Sequence, residues 1–193
     1  AAGNTSTANQ VVTVIDVINP AITAPTAVTV VANNGCTATG VVLGNAIASD
    51  NCSSVTITNN APASFQLGNT TVVWTATDAA GNISTANQVV TVIDQTNPTI
   101  TAPVNITVNA GNSCNISGIV LGFPVVADNC GVANVANDAP STFPIGTTLV
   151  TWTIIDNAGN TATSTQTVTV VDNTNPIITA PANVTVDANS SCV

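Results

Sequence analysis

Aspartate carries most of the available chemistry in this sequence. All nine acidic residues are Asp, and with no Glu, Lys, Arg or His the net charge is −9 with nothing to offset it. Most of them recur at fixed intervals: Asp16, Asp94 and Asp172; Asp50 and Asp128; Asp78 and Asp156. Asn51, Asn129, Asn82 and Asn160 follow close behind them. Carboxylates and amide oxygens are the ligands of a hard cation, calcium above all. The same residues also make turns in any β-protein. The metal candidates are therefore Asp16, Asp50, Asn51, Asp78, Asn82, Asp94, Asp128, Asn129, Asp156 and Asn160, with calcium the one candidate cofactor.

Other chemistry is excluded by inventory. Without His, Lys, Arg, Glu or Tyr there is no base near neutrality, no Ser-His-Asp set and no cation for an oxyanion. A carboxylate pair could serve glycoside hydrolysis, but Asp at repeated turn positions reads as scaffolding. The chain is expected not to be an enzyme. Nucleic acid is excluded as a partner, because phosphate contacts need basic residues. Zinc is not expected where His and Cys-x-x-Cys are both missing. With two Trp and three Phe, an exposed aromatic platform for sugars is not expected either.

The elements that must position the aspartates are strands. Val150, Trp152 and Ile154 alternate with Thr151 and Thr153, the period of two of a half-buried β-strand. Asp156-Asn-Ala-Gly-Asn160 then supplies residues that tolerate a tight turn, and a second alternating run covers Thr163 to Val171. The result is a hairpin built around one tryptophan, and it recurs. Trp152 lies 78 positions after Trp74, and Asp156–Asn160 falls on Asp78-Ala-Ala-Gly-Asn82. Asn19-Pro20, Asn97-Pro98 and Asn175-Pro176 keep the spacing, as do Cys36, Cys114 and Cys192. About half the positions are identical across one period, which marks a tandem array. The period divides the chain into 1–16 (last strand of a preceding repeat), 17–94, 95–172 and 173–193 (start of a following repeat). Such a cut at both ends points to a longer parent chain.

Within each period, short strands are bounded by turn signals every 8–12 residues, the pattern of a β-sandwich. Asn19 to Val31 forms an opening strand kinked at Pro25, and Pro there argues for a sheet edge. Gly40 to Leu43 is expected to be a short strand, and Val72 to Ala76 the tryptophan strand. Trp74 and Trp152 belong to the core. Gly, Pro and polar breaks interrupt every apolar run well short of the roughly 18 residues of a membrane helix, so no membrane insertion is expected. Asn97-Pro98 and Asn175-Pro176 stiffen a short link between repeats, which favours an extended rod.

Five cysteines remain. One pairing stays within each repeat, Cys36 with Cys52 and Cys114 with Cys130, leaving Cys192 unpaired. Each bond would close a loop of about 15 residues and contribute roughly 3 kcal/mol on the chain-entropy model. Buried free thiols are an alternative. Disulfides place the chain outside the cell.

Asp128-Asn-Cys-Gly131, Phe143-Pro-Ile-Gly-Thr-Thr148, Val150-Thr-Trp152, Asp156-Asn-Ala-Gly-Asn160 and Thr167-Val-Thr-Val170 together resemble the hyalin-repeat (HYR) family over essentially the whole chain. The resemblance implies tandem immunoglobulin-like β-sandwiches, as in extracellular matrix proteins and large secreted surface adhesins, acting in adhesion or as a stalk or spacer. The partners it implies are neighbouring repeats, other fibres or extracellular glycans. Two residues depart from the family pattern. Many members have Cys-Pro where Ala102-Pro103 stands, and a partner Cys near Ser164, so that family disulfide cannot form here. An immunoglobulin-like strand order would bring Asp94, Asp128-Asn129 and Asp156–Asn160 to one pole, at the junction with the previous repeat. There the carboxylates would repel one another unless a cation took them as ligands. The same order leaves open a bond between repeats, Cys36 to Cys130, facing that junction.

Overall fold

The computed structural model describes residues 2–187. Every regular element among them is a strand: β1 (Ala21–Thr23), β2 (Val28–Val31), β3 (Thr37–Thr39), β4 (Ile47–Ser49), β5 (Thr56–Asn59), β6 (Ser64–Gln66), β7 (Gly68–Thr77) and β8 (Ile83–Ile93) in the first period. The second period repeats the set as β9 (Thr99–Thr101), β10 (Ile106–Asn109), β11 (Asn115–Ser117), β12 (Val125–Ala127), β13 (Val132–Asn137), β14 (Thr142–Pro144), β15 (Gly146–Asp156) and β16 (Thr161–Val171). The fold is all-β and immunoglobulin-like. No helix among the described residues is long and apolar enough to cross a membrane.

Each period builds one four-stranded sheet, β2-β8-β7-β5 and β10-β16-β15-β13, faced by two-stranded ladders, β1-β4 with β3-β6 and β9-β12 with β11-β14. The tryptophan hairpin is the centre of the larger sheet. Trp74 of β7 stands opposite Ala86 of β8 and Thr77 opposite Ile83. The opening strand changes sheets at Pro25: β1 runs antiparallel to β4, whereas β2 runs parallel to β8 with Val28 opposite Val90. Proline removes one donor from the ladder and fixes φ, so the break falls where a strand can leave one edge for another.

The chain gathers into two compact units. Among the described residues, one holds those up to Thr99 together with Ala127–Asn134 and Ile155–Ala162; the other holds Ile100–Val126, Val135–Ile154 and those from Thr163 to 187. In the first, Phe65, Val72, Trp74, Val90 and Val92 form the buried core. In the second, Phe143, Val150, Trp152, Val168 and Val170 do the same. The alternation of β15, buried at Val150, Trp152 and Ile154, is the period-two pattern expressed as packing.

Two expected strands are not strands. Gly40–Leu43 is irregular, because Gly40 (φ 68°) and Gly44 (φ 84°) take left-handed backbone that no ladder accommodates. Residues 2–16 form no strand either, and Val11, Val12, Val14 and Ile15 lie exposed. Their counterpart β8 is held between β7 and β2. Residues 2–16 have neither neighbour, and a strand without a partner leaves its backbone groups to water.

Candidate metal centre

The geometry starts from the hairpin turns. Asp156 ends β15 and organises the turn that follows: its Oδ1 accepts from the backbone N–H of Ala158 and of Asn160, both at 2.8 Å. Its Oδ2 accepts from Asn160 Nδ2 at 2.8 Å. Gly159, at φ 93°, supplies the left-handed residue that closes such a loop. Asp78 and Asn82 repeat the arrangement, with Asn82 donating to Asp78 from its backbone N–H and its Nδ2, each at 2.8 Å. Asn82 and Asn160 are therefore caps, and their amides also reach back to the backbone carbonyls of Asp16 (3.3 Å) and Asp94 (3.4 Å).

Both carboxyls titrate low. Burial pushes the Asp156 carboxyl up, but hydrogen bonds from the Asn160 side chain and from the backbone N–H of Asn160, Ala158 and Gly159 outweigh it. Asp78 is held below its ordinary value in the same way by Asn82, Gly81 and Ala80. Hydrogen bonds to the charged form favour it over the neutral one. A depressed folded-state pKa stabilises the fold above the ordinary Asp value, and that contribution is lost as pH falls through the lowered value. Carboxyl titration by NMR should therefore give Asp78 and Asp156 midpoints below the ordinary value of about 3.9. Midpoints at or above it would remove the turns from the account of acid stability.

Around these turns the structure brings together two acidic triads. Asp94, Asp128 and Asp156 each offer a carboxylate oxygen within 4.8 Å of the others, and so do Asp16, Asp50 and Asp78. Asp94 follows β8 directly, and its Oδ1 accepts from Thr96 N at 3.0 Å. Asp128 follows β12, and its Oδ2 accepts from Cys130 N at 2.7 Å. The remaining oxygens, Asp94 Oδ2 and Asp128 Oδ1, are buried without a hydrogen-bond partner, as are Asp16 Oδ2 and Asp50 Oδ1. Asp94 is only 7 % exposed. A buried carboxylate oxygen without donor or cation is costly, and three carboxylates this close repel. Oxygen ligands grouped in this way fit a hard divalent cation, and calcium, which takes six to eight oxygens in flexible geometry, suits them better than magnesium.

Of the amides beside the aspartates, Asn129 and Asn51 differ. Asn129 Nδ2 donates to Asp94 Oδ1 (3.2 Å) and to the carbonyl of Gly35 (3.3 Å), so its amide nitrogen faces Asp94 and braces the triad. Asn51 is exposed, and its Nδ2 meets Cys52 Sγ at 2.7 Å. Asp172 lies exposed and only caps its own turn through Thr174 N. Asn157 and Gly131 escaped the sequence reading. Asn157 Nδ2 donates to the Cys130 carbonyl at 3.0 Å, and Gly131, at φ 95°, takes a left-handed backbone that strains any side chain, while a Cβ there would meet Asn157 Nδ2 at 2.9 Å and push that amide aside. A signal was present in the sequence: Asn157 and Gly131 replace Ala79 and Ser53 of the previous period.

The cysteines correct the pairing within repeats. Cys36 is bonded to Cys130, with their Cα atoms 4.8 Å apart and 94 positions between them in sequence. Cys52 and Cys114 are free and exposed. The strands explain why Cys36 does not reach Cys52. Cys36 stands by the Ile93 end of β8, where Ala32 N donates to the Ile93 carbonyl. Cys52 stands with Asp50 and Asp78, before the other end. An 11-residue strand spans about 35 Å, far beyond the 4.4–6.8 Å that a disulfide allows. The same reasoning separates Cys114 from Cys130, and Cys192 lies outside the described residues. Phe123 is 94 % exposed, beside Val104, Val120 and Val125, an apolar patch with a single aromatic ring.

Residues 93–170 match the family model of the HYR domain. Residues 93–170 belong to the HYR family. This HYR segment takes in Asp94, Asp128 and Asp156 together, and the 78-residue period carries its pattern back over the first triad. The chain is 36% identical over 110 residues to hyalin of Lytechinus variegatus (53% of this chain, 21% of that protein). It is 32% identical over 179 residues to hyalin of Strongylocentrotus purpuratus (86% of this chain, 15% of that protein). It thus spans about a fifth or less of these relatives. Human mucin-like protocadherin EC1-2 aligns over 79% of this chain and 98% of its own, at 12% identity and a TM-score of 0.41.

Proposed function

We propose that this chain is the repeat region of a secreted or cell-surface fibrous protein, a stalk or spacer whose HYR repeats bind calcium. The observation that carries this reading is the triad itself. Asp94, Asp128 and Asp156 stand together in a chain without one cationic side chain, and one oxygen each of Asp94 and Asp128 is buried without a partner; Asp16, Asp50 and Asp78 repeat the group, with Asp16 and Asp50 holding the unpartnered oxygens. Calcium sites of extracellular modules have dissociation constants of about 10⁻⁴–10⁻³ M, so millimolar calcium outside a cell would load them. The Cys36–Cys130 bond supports the same compartment, since disulfides persist where conditions are oxidising.

Calorimetric titration with calcium, beside sodium at matched ionic strength, tests the reading. A cation that binds only the folded chain stabilises it by RT ln(1 + [L]/Kd), about 2.7 kcal/mol at a hundredfold excess over Kd. Chelator should lower the melting temperature, and Asp128→Asn should reproduce part of that loss. If sodium shifts the melt as far as calcium does, simple screening of like charges explains the effect and the acids are turn formers.

A second reading treats the repeats as binding modules for glycans or neighbouring fibres. Phe123, 94 % exposed among Val104, Val120 and Val125, is the observation in its favour, because exposed apolar patches mark interaction sites.

A further inference from the structure

The loop Asp128–Gly131 joins two functions in four residues. It carries Asp128, whose Oδ1 is buried and unpartnered, and Cys130, whose sulfur is bonded to Cys36. Between them, Asn129 spans from Asp94 Oδ1 to the carbonyl of Gly35, the residue before Cys36. One half of the disulfide therefore lies two residues from one carboxylate of the triad, and the other half is tied through Asn129 to a second. Asn157 holds the same loop from the hairpin that bears the third, donating twice: its Nδ2 to the Cys130 carbonyl at 3.0 Å and its N–H to the Gly131 carbonyl at 3.2 Å.

The first triad has the same aspartates at the same spacing, and the position that would pair with Cys52, one period before Cys36, lies before residue 1 of this sequence; in the 193-residue chain Cys52 is a free, exposed thiol, and its triad serves as an unstapled internal control. Asn51 meets only the sulfur of Cys52, Ala79 stands where Asn157 stands, and Ser53 where Gly131 stands. Asp16 is partly exposed, in contrast to Asp94.

We propose that the Cys36–Cys130 disulfide presets Asp94, Asp128 and Asp156 as the tighter of two calcium sites, so that breaking it weakens calcium binding at this triad alone. The proposal rests on the calcium reading above. Without a cation the three carboxylates repel, and a loop free to move carries Asp128 away. The bond holds Asp128 near Asp94 before the ion arrives, so binding orders less of the chain. Asn129 and Cys130 are positioning residues in this scheme. A dithiol breaks the bond by exchange: it gives up two electrons and two protons and closes to a cyclic disulfide, leaving two thiols on the protein. Coupling between sites is reciprocal, so calcium makes the bond harder to reduce by the factor that the bond adds to calcium affinity.

The test is isothermal titration of the whole 193-residue chain with calcium chloride, oxidised and after dithiothreitol, with far-UV circular dichroism to establish that the reduced chain stays folded. The oxidised chain should show two affinities, of which Asp128→Asn removes the tighter and Asp50→Asn the weaker. Reduction should weaken the tighter site by about five- to a hundredfold, the usual range of coupling between sites, and leave the weaker one unmoved. The Cys36→Ser/Cys130→Ser double variant should do the same without reductant. A tighter site unchanged by reduction overturns the proposal and leaves the calcium reading standing. Equal weakening of both sites also overturns it, because the bond would then be supporting the fold at large. No heat of binding in any sample overturns both.

Discussion

Trp152→Ala should destabilise the second core by roughly 3–5 kcal/mol, the usual cost of emptying a buried aromatic site. Trp152 is 5 % exposed and stands on β15 among Phe143, Val150, Val168 and Val170. Apart from Phe143 these neighbours are valines, β-branched and held in the strands of one sheet, so they cannot collapse into the space. A domain of this size is stable by only about 5–15 kcal/mol, which makes the loss a large fraction of the whole. Denaturant unfolding followed by far-UV circular dichroism should show part of the signal lost at a lower midpoint with its slope retained, since surface exposed on unfolding changes little. Trp74 remains as the one fluorophore of its kind and reports the first core separately. A wild-type midpoint across the whole signal would mean that Trp152 is not core.

How much of this was legible in the sequence depends on the range of the interaction. The Trp74 and Trp152 hairpins were legible because alternation and turn chemistry are local: Val150, Trp152 and Ile154 point one way, and Asp156 to Asn160 close the turn. The 78-residue period made Asp94, Asp128 and Asp156 equivalent to Asp16, Asp50 and Asp78, and an assumed strand order then placed each set at one pole. The cysteine partners were not legible. Spacing made Cys36 and Cys52 near neighbours in sequence, but β8 runs the length of a sheet between their two ends. Only the strand directions show that Cys36 meets a residue 94 positions away. Gly40–Leu43 misled for a different reason. Val41 and Leu43 do pack against the core, so their burial is real, while Gly40 and Gly44 bend the backbone out of any ladder. A residue facing inward need not be in a strand.

That irregular segment raises the question of where its backbone hydrogen bonds go, and the answer gives the second large expected effect. Buried carbonyls must find a partner, and here the partner is a glutamine. Gln166 on β16 is fully buried. Its Nε2 donates to the carbonyls of Val104 (2.8 Å) and Leu121 (2.9 Å), and its Oε1 accepts from Trp152 Nε1 at 3.2 Å. Gln88 does the same for Thr26, Leu43 and Trp74. Both fall in one periodic series with Gln10, a signal that stood in the sequence unread. Gln166→Leu keeps the volume and strands the buried Trp152 Nε1 and the part-buried carbonyls of Val104 and Leu121, and a buried polar group left unpaired costs about 1–3 kcal/mol. The variant should therefore lose as much stability as Trp152→Ala without creating a cavity. Gln166→Glu separates hydrogen bonding from size. An ionised carboxylate there faces two carbonyls and donates nothing, so burial raises its folded-state pKa above the ordinary value of about 4.3. A raised pKa means stability that is present below the unfolded value and lost as pH rises. Gln166→Glu should thus fold better in mild acid than at neutrality, while Gln166→Leu should be equally weak at both. If Gln166→Leu unfolds at the wild-type denaturant concentration, water satisfies the two carbonyls, and the glutamine is packing rather than a tether.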